Sequence, residues 1–356
     1  MRLTISEKIR HADAMAIQSG IPSAALMDNA ARHLVLAACE LLKPDESVCI
    51  FCGSGNNGGD GVAAAVQLID MGISVCTYLI GRRDKMTADT REMERRLLLR
   101  GSTLIDYTEA SPLPDNCGLI IDAMFGIGLN SPLRGAGLCA ARQINHAGIP
   151  VISADVPSGV SADTGAVLGE AVHASITITF SMAKPGLYLE PGCAFCGEVR
   201  IRDIGIPEEY LCQAEISTTL LQLSEEHLPT RDPLTHKYSY GRLVVLGGSV
   251  GYTGAISLCS RAAVHCGAGV VFTGVPEKIY EITAIKNDEA VVFPLTCSSV
   301  GQISPAALPD IFSRLKTASA VVFGPGLGRS DDLVDITETI IRSAVSPLVL
   351  DADALW

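Results

Sequence analysis

The feature that most constrains this chain is an apolar run, SVCIFC at 47–52, that passes straight into GSGNNGGD at 53–60. A short apolar run ended by glycines reads as a buried strand, and DGVAAAVQLIDM at 60–71 reads as the helix after it. Strand, glycine turn and helix in that order commit the segment to a parallel sheet with helical crossovers, because a tight hairpin cannot join parallel neighbours. The same rhythm continues. Strands are expected at 73–80, 118–122, 150–155 and 174–180, a charged surface helix at 86–100, and a helical stretch at 5–42 packed outside the sheet. The expected fold is α/β, a doubly wound, Rossmann-like parallel sheet.

Bulk properties narrow what such a sheet could serve. Of 356 residues, 48% are hydrophobic and 19% charged, a balance that supplies buried strands and excludes disorder as the main state. A net charge of −12 leaves no basic stripe to release phosphate counterions, so no nucleic acid partner is expected. No apolar run reaches membrane-spanning length and the N-terminus lacks a signal-like core, so the reading is cytoplasmic, without a membrane partner. Twelve cysteines are then read as thiols. A homo-oligomer is compatible with all of this.

Between 205 and 237 the pattern loosens, with Pro207, Glu208, Glu209, Glu225, Glu226, Pro229 and Pro233 marking a boundary. Two domains are expected, 1–212 and 213–356. The second opens on LVVLGGS at 243–249, followed by a helix at 254–266 and strands at 270–273, 320–323 and 347–351. The chain stops soon after that last strand, and the expectation is a second, truncated α/β domain.

The chemistry gathers where the strands of the first half end. Gly53-Ser-Gly-Asn-Asn-Gly58 is a literal G-x-G-x-x-G in strand-to-helix context, but Gly81-Arg82-Arg83 stands where a dinucleotide fingerprint wants an acidic residue. Asn56, Asn57 and Asp60 add side chains that a plain phosphate cradle does not need; the bland alternative makes the asparagines turn residues and Asp60 a helix cap. Asp122 and Asp155 each end a strand, opening DAMFGIG and DVPSG, and ligands of open α/β sheets bind outside those ends. Asn57, Asp122 and Ser158 offer an amide, a carboxylate and a hydroxyl to a hard cation. Lys184 stands within reach of the same rim, although loop lysines are ordinarily solvated. Cys193 and Cys196 lack the second pair that a zinc site requires.

Together these loops resemble the NAD(P)H-hydrate epimerase family, often fused to an ADP-dependent NAD(P)H-hydrate dehydratase. Leu26-Met-Asp-Asn-Ala30 is similar to its LMENA stretch, with Asp28 for Glu, and Asn56-Asn-Gly-Gly-Asp-Gly61 matches its most specific motif. The resemblance implies that hydrated NADH or NADPH binds Asn56, Asn57, Gly58, Gly59, Asp60 and Asp155. It adds the loop of Gly126, Ile127, Gly128, Leu129, Asn130, Ser131 and Pro132. It implies potassium on Asn57, Asp122 and Ser158. With the chemistry of the reaction, it makes Asp155 the acid/base group and Asp60 a second candidate.

The second half resembles the dehydratase, of ribokinase-like fold, through Gly247-Gly-Ser249, Tyr252-Thr-Gly-Ala255, Gly324-Pro-Gly-Leu-Gly328 and Leu350-Asp-Ala-Asp-Ala-Leu355. Ala255 and Gly328 match substrate-contact positions, and ADP or ATP with Mg2+ would serve a complete domain. The family's later elements have no counterpart before Trp356, so epimerase activity is expected and dehydratase activity is not. The rival readings are an epimerase-like interaction module with a degraded site and an NAD(P)-dependent oxidoreductase.

Overall fold

Every residue of strand β2 (Ser47–Gly53) is buried, and its side chains alternate between two cores. Val48, Ile50 and Cys52 pack into one cluster, Cys49 and Phe51 into another, which is the mark of a sheet covered on both faces. The computed structural model describes residues 1–220 and 231–356, so Glu225, Glu226 and Pro229 lie outside the described residues. Contacts divide the chain into two units, Met1–Leu223 and Ser224–Trp356.

In the first unit the elements run β1 (Arg2–Thr4), α1 (Ser6–Gln18), α2 (Ser23–Leu41), β2, α3 (Asn56–Asp70), β3 (Val75–Ile80), α4 (Ala88–Leu99) and β4 (Leu104–Asp106). They continue with β5 (Cys117–Ala123), α5 (Gly135–His146), β6 (Val151–Ala154), β7 (Ile176–Phe180), β8 (Glu198–Arg202), α6 (Glu208–Ala214) and β9 (Glu215–Thr219). Seven strands form one parallel sheet in the order β4-β3-β2-β5-β6-β7-β8. Helices α2 and α3 cover one face and α5 the other, as doubly wound sheets require. The antiparallel pair β1–β9 has no signal in the sequence. It keeps residues beyond 212 within the first unit.

Helix α3 begins at Asn56, four residues before the start expected from the sequence. Three glycines in its first two turns, Gly58, Gly59 and Gly61, oppose helix formation by about 1 kcal/mol each, so packing must decide. A Cβ on Gly58 would lie 1.8 Å from the Gly53 carbonyl oxygen, and one on Gly59 would lie 2.5 Å from Met27 Cε. At Gly58 only glycine lets the helix sit this close to its own strand, whereas at Gly59 the end of the Met27 side chain would have to move aside. The alternative reading of Asp60 as the helix cap is thereby removed: Gly55 is the N-cap and Asp60 lies one turn inside. Helix α4 pins the loop from outside, with Thr90 Oγ1 donating to the Gly55 carbonyl at 3.0 Å and the Thr87 amide donating to the Ser54 carbonyl at 3.1 Å.

The second unit comprises β10 (Arg242–Leu246), α7 (Thr253–His265), β11 (Val270–Pro276), α8 (Tyr280–Lys286) and β12 (Val291–Leu295). It goes on with α9 (Leu308–Leu315), β13 (Ala320–Phe323), α10 (Asp331–Ser343) and β14 (Leu348–Leu350). Its five parallel strands are ordered β12-β11-β10-β13-β14. Ile256 of α7 packs on Val245 and Val271, whereas Ile311 of α9 and Ile336 and Ile340 of α10 share a core with Val244 and Leu246 on the other face. Among the described residues no helix is long and apolar enough to cross a membrane.

Candidate active site

Strand order in the first sheet reverses between β2 and β5, and open α/β sheets place their ligand crevice at such a switch. A cavity of about 470 Å³ lies there. Asn56, Asn57 and Asp60 of the glycine loop line it, as do Gly126, Ile127, Gly128 and Leu129 after β5 and Asp155 after β6. Gly58 and Gly59 are buried beneath the loop, where they set its approach to β2 and α2. Asn130, Ser131 and Pro132 are exposed and do not line the cavity. Asp28 of the LMDNA stretch faces Arg96 at 3.0 Å.

Asp155 takes a left-handed backbone conformation, φ 65°, uncommon for any residue other than glycine. The bend follows directly on β6: the Asp155 amide donates to the Ile178 carbonyl of β7 at 2.8 Å. One carboxylate oxygen, Oδ1, receives Lys184 Nζ at 2.7 Å; Oδ2 receives the Ile127 amide at 3.4 Å. Lys184 is 1% exposed and also donates to Thr179 Oγ1 at 3.0 Å and to the Phe180 carbonyl at 2.9 Å. The solvated loop lysine is therefore corrected to a buried ion pair on the cavity wall. All three of its ammonium protons are used, which is what burying a lysine demands. Gly126 closes the geometry, because a Cβ there would lie 3.0 Å from both Asn57 Oδ1 and Asp155 Oδ2.

Asp122, fully buried beneath the cavity, is ringed by neutral donors. Ser158 Oγ donates to Oδ1 at 2.6 Å, while Ser153 Oγ and the Ser158 amide each reach Oδ2 at 2.9 Å. No basic side chain bonds it, and burial pushes its pKa above the usual carboxylate range. Ser158 Oγ in turn receives the Phe125 amide at 2.9 Å. Asn57 makes no hydrogen bond to either residue, and its Nδ2 is buried without a partner. One uncompensated carboxylate beside hydroxyl, amide and carbonyl groups fits a large singly charged cation; among the described residues no three His, Cys, Asp or Glu side chains converge as a metal site, Cys193 and Cys196 included.

Helix α1 contributes what the sequence reading missed. Ile9, Arg10, Asp13 and Ile17 wall the cavity, and Arg10 Nη2 donates to the Ile127 carbonyl at 2.7 Å. The signal was present: Asp13 sits on the stripe of Ile9, Ala12 and Ala16, where a carboxylate has no packing reason to be. Burial raises Asp13 to about 6, the attraction of Lys184 opposing this and the repulsion of Asp155 adding to it. Burial, then the carboxylates of Asp155, Asp13 and Asp89, push Asp60 well above its ordinary range.

In the second unit the order turns between β10 and β13. Ala255 opens on that crevice, 3.3 Å from where a Cβ on Gly326 would stand, and the Gly328 amide donates to Asp353 Oδ2 at 3.0 Å.

Comparison with known proteins places both sheets. A family model described as YjeF-related protein N-terminus matches residues 23–186, and one described as NAD(P)H-hydrate dehydratase matches 243–356. A bifunctional NAD(P)H-hydrate repair enzyme Nnr of Moorella thermoacetica is 34% identical over 348 residues, covering 94% of this chain and 65% of its own length. The Nnr of Coxiella burnetii is 32% identical over 353 residues (98% and 70%), and that of Dictyoglomus turgidum 34% over 370 residues (100% and 70%). The chain thus spans 65–70% of the length of these curated relatives. A crystal structure of the yeast protein YNL200c superposes with a TM-score of 0.52 at 18% identity, covering 63% of this chain and 98% of that one, a likeness of fold alone.

Proposed function

Since the chain belongs to the family of bifunctional NAD(P)H-hydrate repair enzymes, we propose that its first unit interconverts the R and S forms of hydrated NADH and NADPH in the cavity between β2 and β5. The observation that carries this reading is the buried Lys184–Asp155 pair, with the second carboxylate oxygen turned toward Gly126 and Asn57. In the hydrate, a hydroxyl stands on the ring carbon next to nitrogen. The nitrogen lone pair expels it, leaving a planar cation that water can attack from either face.

Asp155 is suited to the second half of that sequence. Its carboxylate takes the proton of the incoming water and stabilises the positive ring before it. Lys184 fixes Oδ1 and balances the carboxylate's charge between turnovers. The first turn of α3, whose amides no side chain caps, offers the nucleotide's phosphate a partner of suitable charge. Asn57, Asp122 and Ser158 would hold potassium, which supplies positive charge beneath a substrate that brings more negative charge to acidic walls.

A dehydratase role for the second unit, with ADP or ATP and Mg2+, rests on the family and on the placement of Ala255 and Gly328 at the β10–β13 crevice. The test is chiral chromatography of the R and S hydrates incubated with the chain, with and without potassium. Equilibration well above the buffer rate, abolished in Asp155→Asn, is expected. An Asp155→Asn chain that keeps the wild-type rate removes Asp155 from the reaction.

A further inference from the structure

Four carboxylates and two cations line the epimerase cavity: Asp13, Asp60, Asp89 and Asp155 against Arg10 and Lys184. Most already have partners. Lys184 belongs to Asp155, Arg10 holds the Ile127 carbonyl, and Asp89 accepts from Ser23 Oγ at 2.7 Å. Asp13 and Asp60 accept no hydrogen bond from another side chain among the described residues.

Resting on the epimerase reading, the chemistry has a gap that one of these two fills. Inversion needs a proton delivered to the departing hydroxyl as well as a base for the incoming water. One carboxylate cannot serve both ends of an inversion, because the hydroxyl leaves from one face of the ring and the water arrives at the other. The donor must line the same cavity and come from another element than β6. We propose that Asp13 is a catalytic residue of the epimerisation, the acid that protonates the departing hydroxyl while Asp155 serves as the base.

Asp13 is presented by α1, half-buried, and answers electrostatically to both members of the Lys184–Asp155 pair. Around it stand Arg10 on its own helix, Asp60 on α3, and Asp155 and Lys184 beyond β6 and β7. With its ionisation moved up to about 6 it stays protonated in about a tenth of the molecules at pH 7, far more than an ordinary aspartate, and releases that proton readily. Asp60 is pushed well above the ordinary carboxylate range, by burial first and then by Asp155, Asp13 and Asp89, and so holds its proton.

The step balances. Asp13 gives its carboxyl proton to the hydroxyl oxygen, the C–O bond breaks with its electron pair leaving on water, and the nitrogen lone pair fills the gap. A water oxygen then forms the new C–O bond, its proton passes to Asp155, and the nitrogen recovers its lone pair. One turnover moves a proton from Asp13 to Asp155, and exchange with solvent in the cavity restores both.

The experiment follows epimerisation of NADH hydrate by chiral chromatography from pH 5 to 9, above the buffer rate, for wild type, Asp13→Asn, Asp13→Glu and Asp155→Asn. In the wild type kcat should fall as pH rises past about 6. Asp13→Asn should lower kcat by about 10²–10⁴-fold with KM within about threefold, and erase that fall. Asp13→Glu should keep part of the rate with the fall displaced, a readout available even if the Asn variant folds poorly. Wild-type kcat in Asp13→Asn, a loss confined to KM, or an unmoved pH profile in either variant overturns the role. If those results come with Asp155→Asn inactive, the epimerase reading stands without it. A wild-type chain no faster than buffer overturns both.

Discussion

Removing the Lys184 ammonium tests the site's electrostatics most directly. Lys184→Met keeps the length and apolar stem of the side chain but deletes three donated hydrogen bonds, of 2.7, 3.0 and 2.9 Å. Asp155, 7% exposed, then carries a charge with no cation beside it. Breaking one side of a buried ion pair costs about 3–5 kcal/mol, far more than losing an exposed pair. Much of that cost is the stranded carboxylate and should disappear once it too is neutralised. Lys184→Met/Asp155→Asn should therefore recover about 2 kcal/mol over Lys184→Met alone, although it lacks one more charged group. The assay is urea unfolding at pH 7 followed by circular dichroism for wild type, both single variants and the double. Lys184→Met within about 1 kcal/mol of wild type, or a double variant less stable than Lys184→Met, would refute the reasoning.

Two further outcomes follow from the same cavity. Asp13 ionises near 6 when folded against an ordinary 3.8, so between those values the unfolded chain sheds a proton that the folded chain keeps, and stability falls as pH rises through that window. The full shift would be worth about 3 kcal/mol, cut to about 1–2 by the side chain's partial exposure. Asp13→Asn should then be more stable than wild type by that amount at pH 8 and equal to it below pH 4, in urea midpoints at both; an equal offset at the two pH values counts against the shift. Gly126→Ala puts a methyl group 3.0 Å from Asn57 Oδ1 and Asp155 Oδ2. The two side chains must give by a few tenths of an ångström, so it should cut epimerisation by about 10-fold, less than the 100-fold that a full ångström costs, with little change in the urea midpoint; full activity would show that the two side chains need not converge.

How much of this was legible depends on which forces placed each residue. The sheet was readable because parallel strands bury both faces, so SVCIFC and its neighbours stand out as apolar runs. Asp122 and Asp155 were readable because strand ends at a switch point are where ligands go. The start of α3 was not, since Asn56 to Gly59 are poor helix formers and only their closeness to Gly53 and Met27 makes a helix of them. Asp13, and the burial of Lys184 at the rim where the sequence placed it, escaped for a related reason. Burial is a tertiary property, and a lysine after a strand or an aspartate on a helix carries no mark of what will cover it. Asp13 did carry a partial signal in the apolar residues at 9, 12 and 16 around it.

The left-handed turn at Asp155 determines how the site can vary. Because φ is 65° and the amide is tied to Ile178, the Cα–Cβ bond is aimed by the main chain where β6 leaves the sheet, and Lys184 and the Ile127 amide hold the carboxylate at its end. Its direction is thus inherited from the register of β6 on β7, in which Ala154 pairs with Ile178. Exchanging the exposed loop around Asn130 and Ser131 should leave that aim untouched. A one-residue slip of either strand would turn the carboxylate out of the cavity with every loop residue still in place.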